Sequence, residues 1–189
     1  MQWRNTPLRY GAVTKLFHWS IFLFFLYQYV AAMNMSNMDR GDLVYGFFTQ
    51  DTLYNWHKSV GILLLVLAFG RYMWRRKTPL PDWAPTLSPF ERKATHWIER
   101  LLYICMFVMP IAGFVFVMAG GYGVMFFGRW PLPNFIPENE TLALTAQWTH
   151  KITAYAIVIV WLCHLTLVLK HQFVNRDRFL NRMLPFTQQ

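Results

Sequence analysis

Four stretches of this chain are each long and apolar enough to cross a bilayer, and that leaves few folds open. They run roughly Lys15–Met35, Leu53–Trp74, Ala94–Ala119 and Gln147–His171. A spanning helix needs about 20 apolar residues, and lipid offers a backbone amide no partner outside its own helix. The expected fold class is all-α and integral to the membrane: a four-transmembrane-helix bundle, with residues 1–189 forming a single membrane domain. Segments 36–52 and 120–146 become the loops at one end. The connector at 78–89 (TPLPDWAPTLSP), with four prolines, is expected to be stiff. The longer loop opens GGYG and contains WPLPNFIP, so an interfacial half-helix carrying Trp130 and Phe135 is expected there.

Composition narrows this further. Of 189 residues, 55% are hydrophobic and only 14% charged, too apolar for an ordinary soluble domain. A net charge of +9 could signal nucleic acid, but the basic residues cluster between apolar segments. That pattern is membrane topology, and it points to membrane lipid rather than nucleic acid as the partner. Fourteen of the 18 Lys and Arg fall in the N-terminal arm, around the 78–89 connector and in the tail. The positive-inside rule then places both termini in the cytoplasm of a bacterial inner membrane. The first segment reads as a retained helix rather than a signal peptide, because its basic flank and apolar run are long and His18 interrupts it. Cys105 and Cys163 read as small buried side chains, not a disulfide. No CxxCH motif marks a covalently attached haem, and no glycine-rich loop marks a nucleotide or dinucleotide site.

The histidines carry the chemistry. His150 and His164 lie fourteen residues apart in one apolar segment, just under four turns and about 21 Å, so both rings face one way. His57 opens the second helix at the level of His150, and His18 opens the first at the level of His164. Two pairs result: His57 with His150 near the outer face, His18 with His164 near the inner. An ionisable side chain within an apolar span is a functional hypothesis by default. Facing histidines in a bundle suit bis-imidazole ligation of haem iron. Zinc or copper is the other candidate, but two-histidine sites without carboxylate or thiolate are poor zinc sites.

The neighbours of these histidines extend the reading. Gly61 and Ala154, one turn from His57 and His150, would leave room for a porphyrin. Arg71, fourteen residues past His57, is expected to pair with a haem propionate. Lys58 and Lys151 follow the outer ligands, either snorkelling at the interface or drawing anions to the outer site. His171 shares the face of His164 but would separate the irons by about 31 Å, pushing one out of the hydrocarbon; it is read as interfacial. His96 has no evident partner and is either interfacial or a proton or quinone group.

With these residues in place, the chain resembles the bacterial cytochrome b561 family. The likeness rests on His18-Trp19, on His57 with Gly61 and Arg71, and on His96, Tyr103 and Pro110 with the run YICMFVMPIAG. Trp148, His150 and His164 complete it, and it covers roughly 10–175. The resemblance implies two haems b with His18/His164 and His57/His150 as axial iron ligands, and exchange of electrons with ubiquinone. At least one member oxidises superoxide at the periplasmic face. The expected function is a dihaem membrane cytochrome, a superoxide:ubiquinone oxidoreductase-like protein. It would move electrons between a periplasmic donor, superoxide foremost, and ubiquinone, with Lys58 and Lys151 as candidates to guide the donor. The alternative is a non-catalytic haem anchor and electron conduit for a separate periplasmic redox protein, with 120–146 as the docking surface.

Overall fold

The fold is given by a computed structural model, which describes residues 2–39, 41–44, 46–177 and 179–184. Four helices dominate: α1 (Ala12–Asn37), α2 (Gln50–Lys77), α3 (Pro89–Ala119) and α4 (Glu140–Leu169). All four are long and apolar enough to cross a membrane. Their large apolar side chains, such as Leu23, Val66, Phe69, Ile104, Ile152 and Ile159, point outward. Water would penalise that surface, whereas hydrocarbon accepts it. The chain is thus a multi-pass all-α membrane protein.

Each helix starts before the bound that its apolar run suggests, and polar caps lie ahead of the apolar residues in α2, α3 and α4. Thr49 opens α2, its hydroxyl accepting the Thr52 amide at 3.2 Å. Ser88 and Glu91 form a reciprocal capping box that starts α3. Asn139 caps α4 through the Leu142 amide at 2.9 Å, so the helix starts at Glu140, seven residues before the expected Gln147. Pro110 lies inside α3 without ending it.

The chain divides into two compact units. One comprises Met1–Ser20, Leu67–Cys105 and Ala154–Gln189. There the N-terminal arm folds back on itself, with the Asn5 side-chain oxygen accepting from the Gly11 amide and the Thr14 hydroxyl, both at 2.8 Å. A Cβ on Gly11 would lie 2.4 Å from the Arg4 carbonyl carbon, so only glycine fits. Past α4 the chain continues as a wide π turn, Lys170–Val174, then a short 3-10 turn, Phe179–Arg182.

The other unit comprises Ile21–Val66 and Met106–Thr153. Its core gathers Val117, Met118 and Val124 with Ile62, Phe114 and Leu132 around them. Small residues, Ala31, Ala112, Ala143 and Ala146, are buried here, as close helix packing in a membrane requires. The segment after α3 is a small antiparallel hairpin, β1 (Met125–Phe126) with β2 (Trp130–Pro131). This corrects the half-helix expected there: Trp130 lies in β2 and Phe135 in the loop beyond. Gly121, Gly123 and Gly128 adopt positive φ, and Pro131, Pro133 and Pro137 lack amide donors, so no helical ladder can form.

Both cysteines are free. Cys105 is buried, as expected. Cys163 is exposed on α4, correcting its expected burial, because an apolar span has a lipid face as well as a core face.

Candidate functional site

The histidines come together in two pairs, one within each unit. The His57 and His150 rings have centroids 6.1 Å apart at 76°. The His18 and His164 rings lie 6.4 Å apart at 50°. Two imidazoles bound to one metal from opposite sides, with metal–nitrogen bonds of ~2 Å and ring radii of ~1.1 Å, have centroids ~6 Å apart. Each pair is therefore spaced to hold a metal between its rings. Among the described residues, no group of three or more His, Cys, Asp or Glu is placed to bind a metal.

His150 is the best prepared ligand. Its Nδ1 lies 2.8 Å from the Met109 carbonyl. A carbonyl can only accept, so Nδ1 carries the proton and Nε2 is the nitrogen left for a metal. Gly113, one turn beyond Met109, makes this approach possible: a Cβ there would lie 2.8 Å from His150 Nδ1. His57 is held differently. Gln28 Nε2 donates to the His57 carbonyl at 2.9 Å, pinning the turn rather than the ring. The His57 Nδ1 is buried and has no hydrogen-bond partner among the described residues. An unsatisfied buried polar atom costs about 1–3 kcal/mol, which a bound group or water would relieve. Gly61, expected from sequence to make room for a porphyrin, lies against Gln28: a Cβ there would lie 3.3 Å from its Nε2.

The His18/His164 pair is linked to Arg71. Its Nη1 lies 3.3 Å from His18 Nδ1, and its Nε donates to the Tyr103 hydroxyl at 3.2 Å. Guanidinium can only donate, so this contact puts the His18 proton on Nε2. A metal at His18 Nε2 would require the other tautomer, and Arg71 would then turn from Nδ1 toward Tyr103, which it already contacts.

The two lysines differ from each other. Lys58 is half-buried and donates to the Gly123 carbonyl at 3.0 Å, tying α2 to the hairpin segment. Lys151 is exposed, with its ammonium 5.4 Å from the centre of the Trp148 ring. Next to Lys58, Ser59 is fully buried. Its hydroxyl donates to the Asn55 carbonyl and accepts from the Phe127 amide, both at 2.7 Å. Phe127 holds a positive φ of 49°, a conformation this bond helps to maintain.

His171 is buried, only 2% exposed, with Nδ1 2.6 Å from Asp177 and Nε2 3.5 Å from Glu91. It lies in the π turn that follows α4, where the 3.6-residue register no longer holds. His96 is exposed, stacks edge-on against Trp83 at 5.1 Å and lines a cavity of about 820 Å³ with Tyr72, Arg75, Glu99 and Tyr103.

Sequence reasoning found all four paired histidines. It missed Gln28, Met109 and Gly113. A backbone carbonyl has no sequence signature, although a glycine in an otherwise bulky α3 could have drawn attention.

The comparisons with known proteins identify the family. The family model described as prokaryotic cytochrome b561 matches residues 9–186. Cytochrome b561 homolog 2 of Escherichia coli (strain K12) is 30% identical over 184 residues, covering 97% of this chain and 95% of its own length. Cytochrome b561 homolog 1 of the same organism is 27% identical over 177 residues, 94% of this chain and 97% of its own. A Yersinia pestis protein named probable superoxide oxidase CybB is 30% identical over 129 residues, 68% of this chain and 73% of its own. A family match spanning nearly the whole chain implies haem b and electron transport in a membrane: the chain belongs to the prokaryotic cytochrome b561 family.

Proposed function

We propose that this cytochrome holds two haems b, one between His57 and His150 and one between His18 and His164, with α4 supplying one ligand to each. Bound haem b supplies reversible one-electron iron chemistry. The single observation that carries the reading is the His57/His150 pair: two rings at metal-spanning separation, with one tautomer set by the Met109 carbonyl. With imidazole on both sides, no axial position is open to oxygen, which favours outer-sphere electron transfer.

The reaction we infer is transfer of electrons between a periplasmic donor and membrane ubiquinone, in a bacterial inner membrane with both termini in the cytoplasm. Superoxide is the favoured donor. A relative carries the name superoxide oxidase, and Lys151 offers an exposed cation one residue from His150, where it would attract a small anion. Lys58 contributes charge nearby, but its hydrogen bond gives it a structural task as well. Arg71 and Tyr103 are the groups that would respond to a haem at His18.

A pyridine haemochrome assay on the purified chain tests the haem reading. Two b haems per chain are expected. Single substitutions His150→Ala and His164→Ala should each reduce this to one, with different bands lost from the reduced-minus-oxidised spectrum. A colourless protein made with ample haem would overturn the proposal. Superoxide generated enzymatically should reduce the haems, and added ubiquinone should reoxidise them; haems that stay oxidised would rule out superoxide as donor.

A further inference from the structure

The cavity that His96 lines shares Tyr103 with the Arg71 contact but is otherwise outside the electron-transfer reading. It lies at the junction of the last turn of α2 with the first turns of α3, within one unit. Arg75, Arg76, Lys77 and Arg100 line it, against a single carboxylate, Glu99. Glu99 accepts from Arg75 at 2.8 Å with both side chains only part-exposed, so that pair is largely self-compensated. Arg76, Lys77 and Arg100 remain as positive charge around a concave space. Positive charge at a helix end is common in membrane proteins, and charge alone would say nothing. The walls add the second observation: Tyr72 and Tyr103 pack edge-on at 6.0 Å, giving the cavity an aromatic floor.

We propose that this cavity binds the phosphate headgroup of an anionic phospholipid. Guanidinium recognises phosphate through paired, charge-assisted hydrogen bonds, and basic pockets at helix ends are suited to such headgroups. Arg100 stands over the Trp97 ring at 5.4 Å; Trp is the side chain that anchors helices at the headgroup level. From there Trp97, Leu101 and Ile104 expose an apolar stripe along α3, with 53%, 42% and 56% of their surfaces open. An acyl chain attached to a phosphate held by Arg76 and Arg100 would lie along that stripe. A neutral ring ligand would make no use of the three exposed cations around the cavity. The proposal is independent of haem binding.

The test is native mass spectrometry of the intact, haem-loaded chain in detergent, titrated with phosphatidylglycerol, with phosphatidylcholine, or with inorganic phosphate. Phosphatidylglycerol should bind about tenfold more tightly than phosphatidylcholine, the effect of one or two desolvated charge contacts. The Arg76→Gln/Arg100→Gln pair should erase that preference, while Arg76→Lys/Arg100→Lys should retain most of it. Equal binding of both lipids overturns the proposal, and so does an unchanged preference in the glutamine pair. Displacement of phosphatidylglycerol by inorganic phosphate at similar concentrations would make this a free-phosphate site and overturn the lipid assignment. Displacement by a tail-less ubiquinone at similar concentrations would do the same in favour of a neutral ring. If the glutamine pair fails to fold, the lipid comparison on the unaltered chain decides the question alone.

Discussion

His150 reaches the Met109 carbonyl at 2.8 Å through a gap left by Gly113. Three residues on two helices thereby fix which nitrogen of one ring is available to a metal. The glycine is as necessary as the histidine, because any side chain at 113 would occupy the space of the ring.

Gly113→Ala should therefore behave like a partial ligand deletion. A Cβ 2.8 Å from Nδ1 forces the ring off the carbonyl, and overpacking of this kind costs about 1–3 kcal/mol. Haem content should fall toward one per chain, with the spectrum of the His150→Ala protein. Two haems with unshifted bands would show that the Met109 contact does not set the ligand.

The two lysines should separate in experiment. Lys151→Gln removes an exposed charge and should slow superoxide-driven haem reduction a few-fold, with a flatter dependence on ionic strength. Lys58→Gln loses the bond to Gly123 as well, so it should also lower the melting temperature. Equal salt dependence in the Lys151→Gln and unaltered proteins would remove electrostatic guidance from the account.

Ser59 holds the hairpin through one buried hydroxyl. Ser59→Ala leaves the Phe127 amide without that partner, a loss of about 1–3 kcal/mol. The consequence should be local: faster proteolysis between residues 120 and 134 with little change in haem content. Unchanged cleavage would mean that Lys58 and the Trp56–Phe127 ring contact suffice.

Tyr10 supplies a pH-dependent element outside the spanning segments. Burial raises its pKa above the ordinary phenol value, and the Glu99 carboxylate adds to this, against Arg182, Arg75 and Arg71. A group with a raised folded pKa contributes stability that is complete below its unfolded value, about 10, and is lost as pH climbs toward the folded value. Melting temperature should thus fall above pH ~10, and Tyr10→Phe should flatten that decline. Parallel curves for the two proteins would show that Tyr10 ionises alike in both states.

The helices were legible because lipid imposes one requirement along twenty residues at a time, and hydropathy reports it directly. The paired histidines were legible because helical rise converts sequence spacing into depth. Arg71 was placed at the level of His18, but its contacts with His18 Nδ1 and Tyr103 were not legible, since spacing fixes the level of a side chain and not its rotamer. Gln28 went unremarked because an amide in a long apolar helix has many bland explanations. Trp130 and Phe135 suggested an interfacial helix by composition, while the positive φ at Gly121, Gly123 and Gly128 belongs to backbone geometry. The π turn at Lys170–Val174 has no composition of its own, so the burial of His171 within it was not legible.

The double anchorage around His57 and His150 has a kinetic meaning. Gln28 fixes the turn that carries one ring, and Met109 fixes the plane of the other. Were the proposed haem bound between these rings, the ring held by Met109 and the turn pinned by Gln28 would limit how far the ligands move when an electron is gained or lost. The reorganisation cost of each electron hop would then be small. Two hydrogen bonds that add little to the stability of the bundle would thus bear on how fast it conducts.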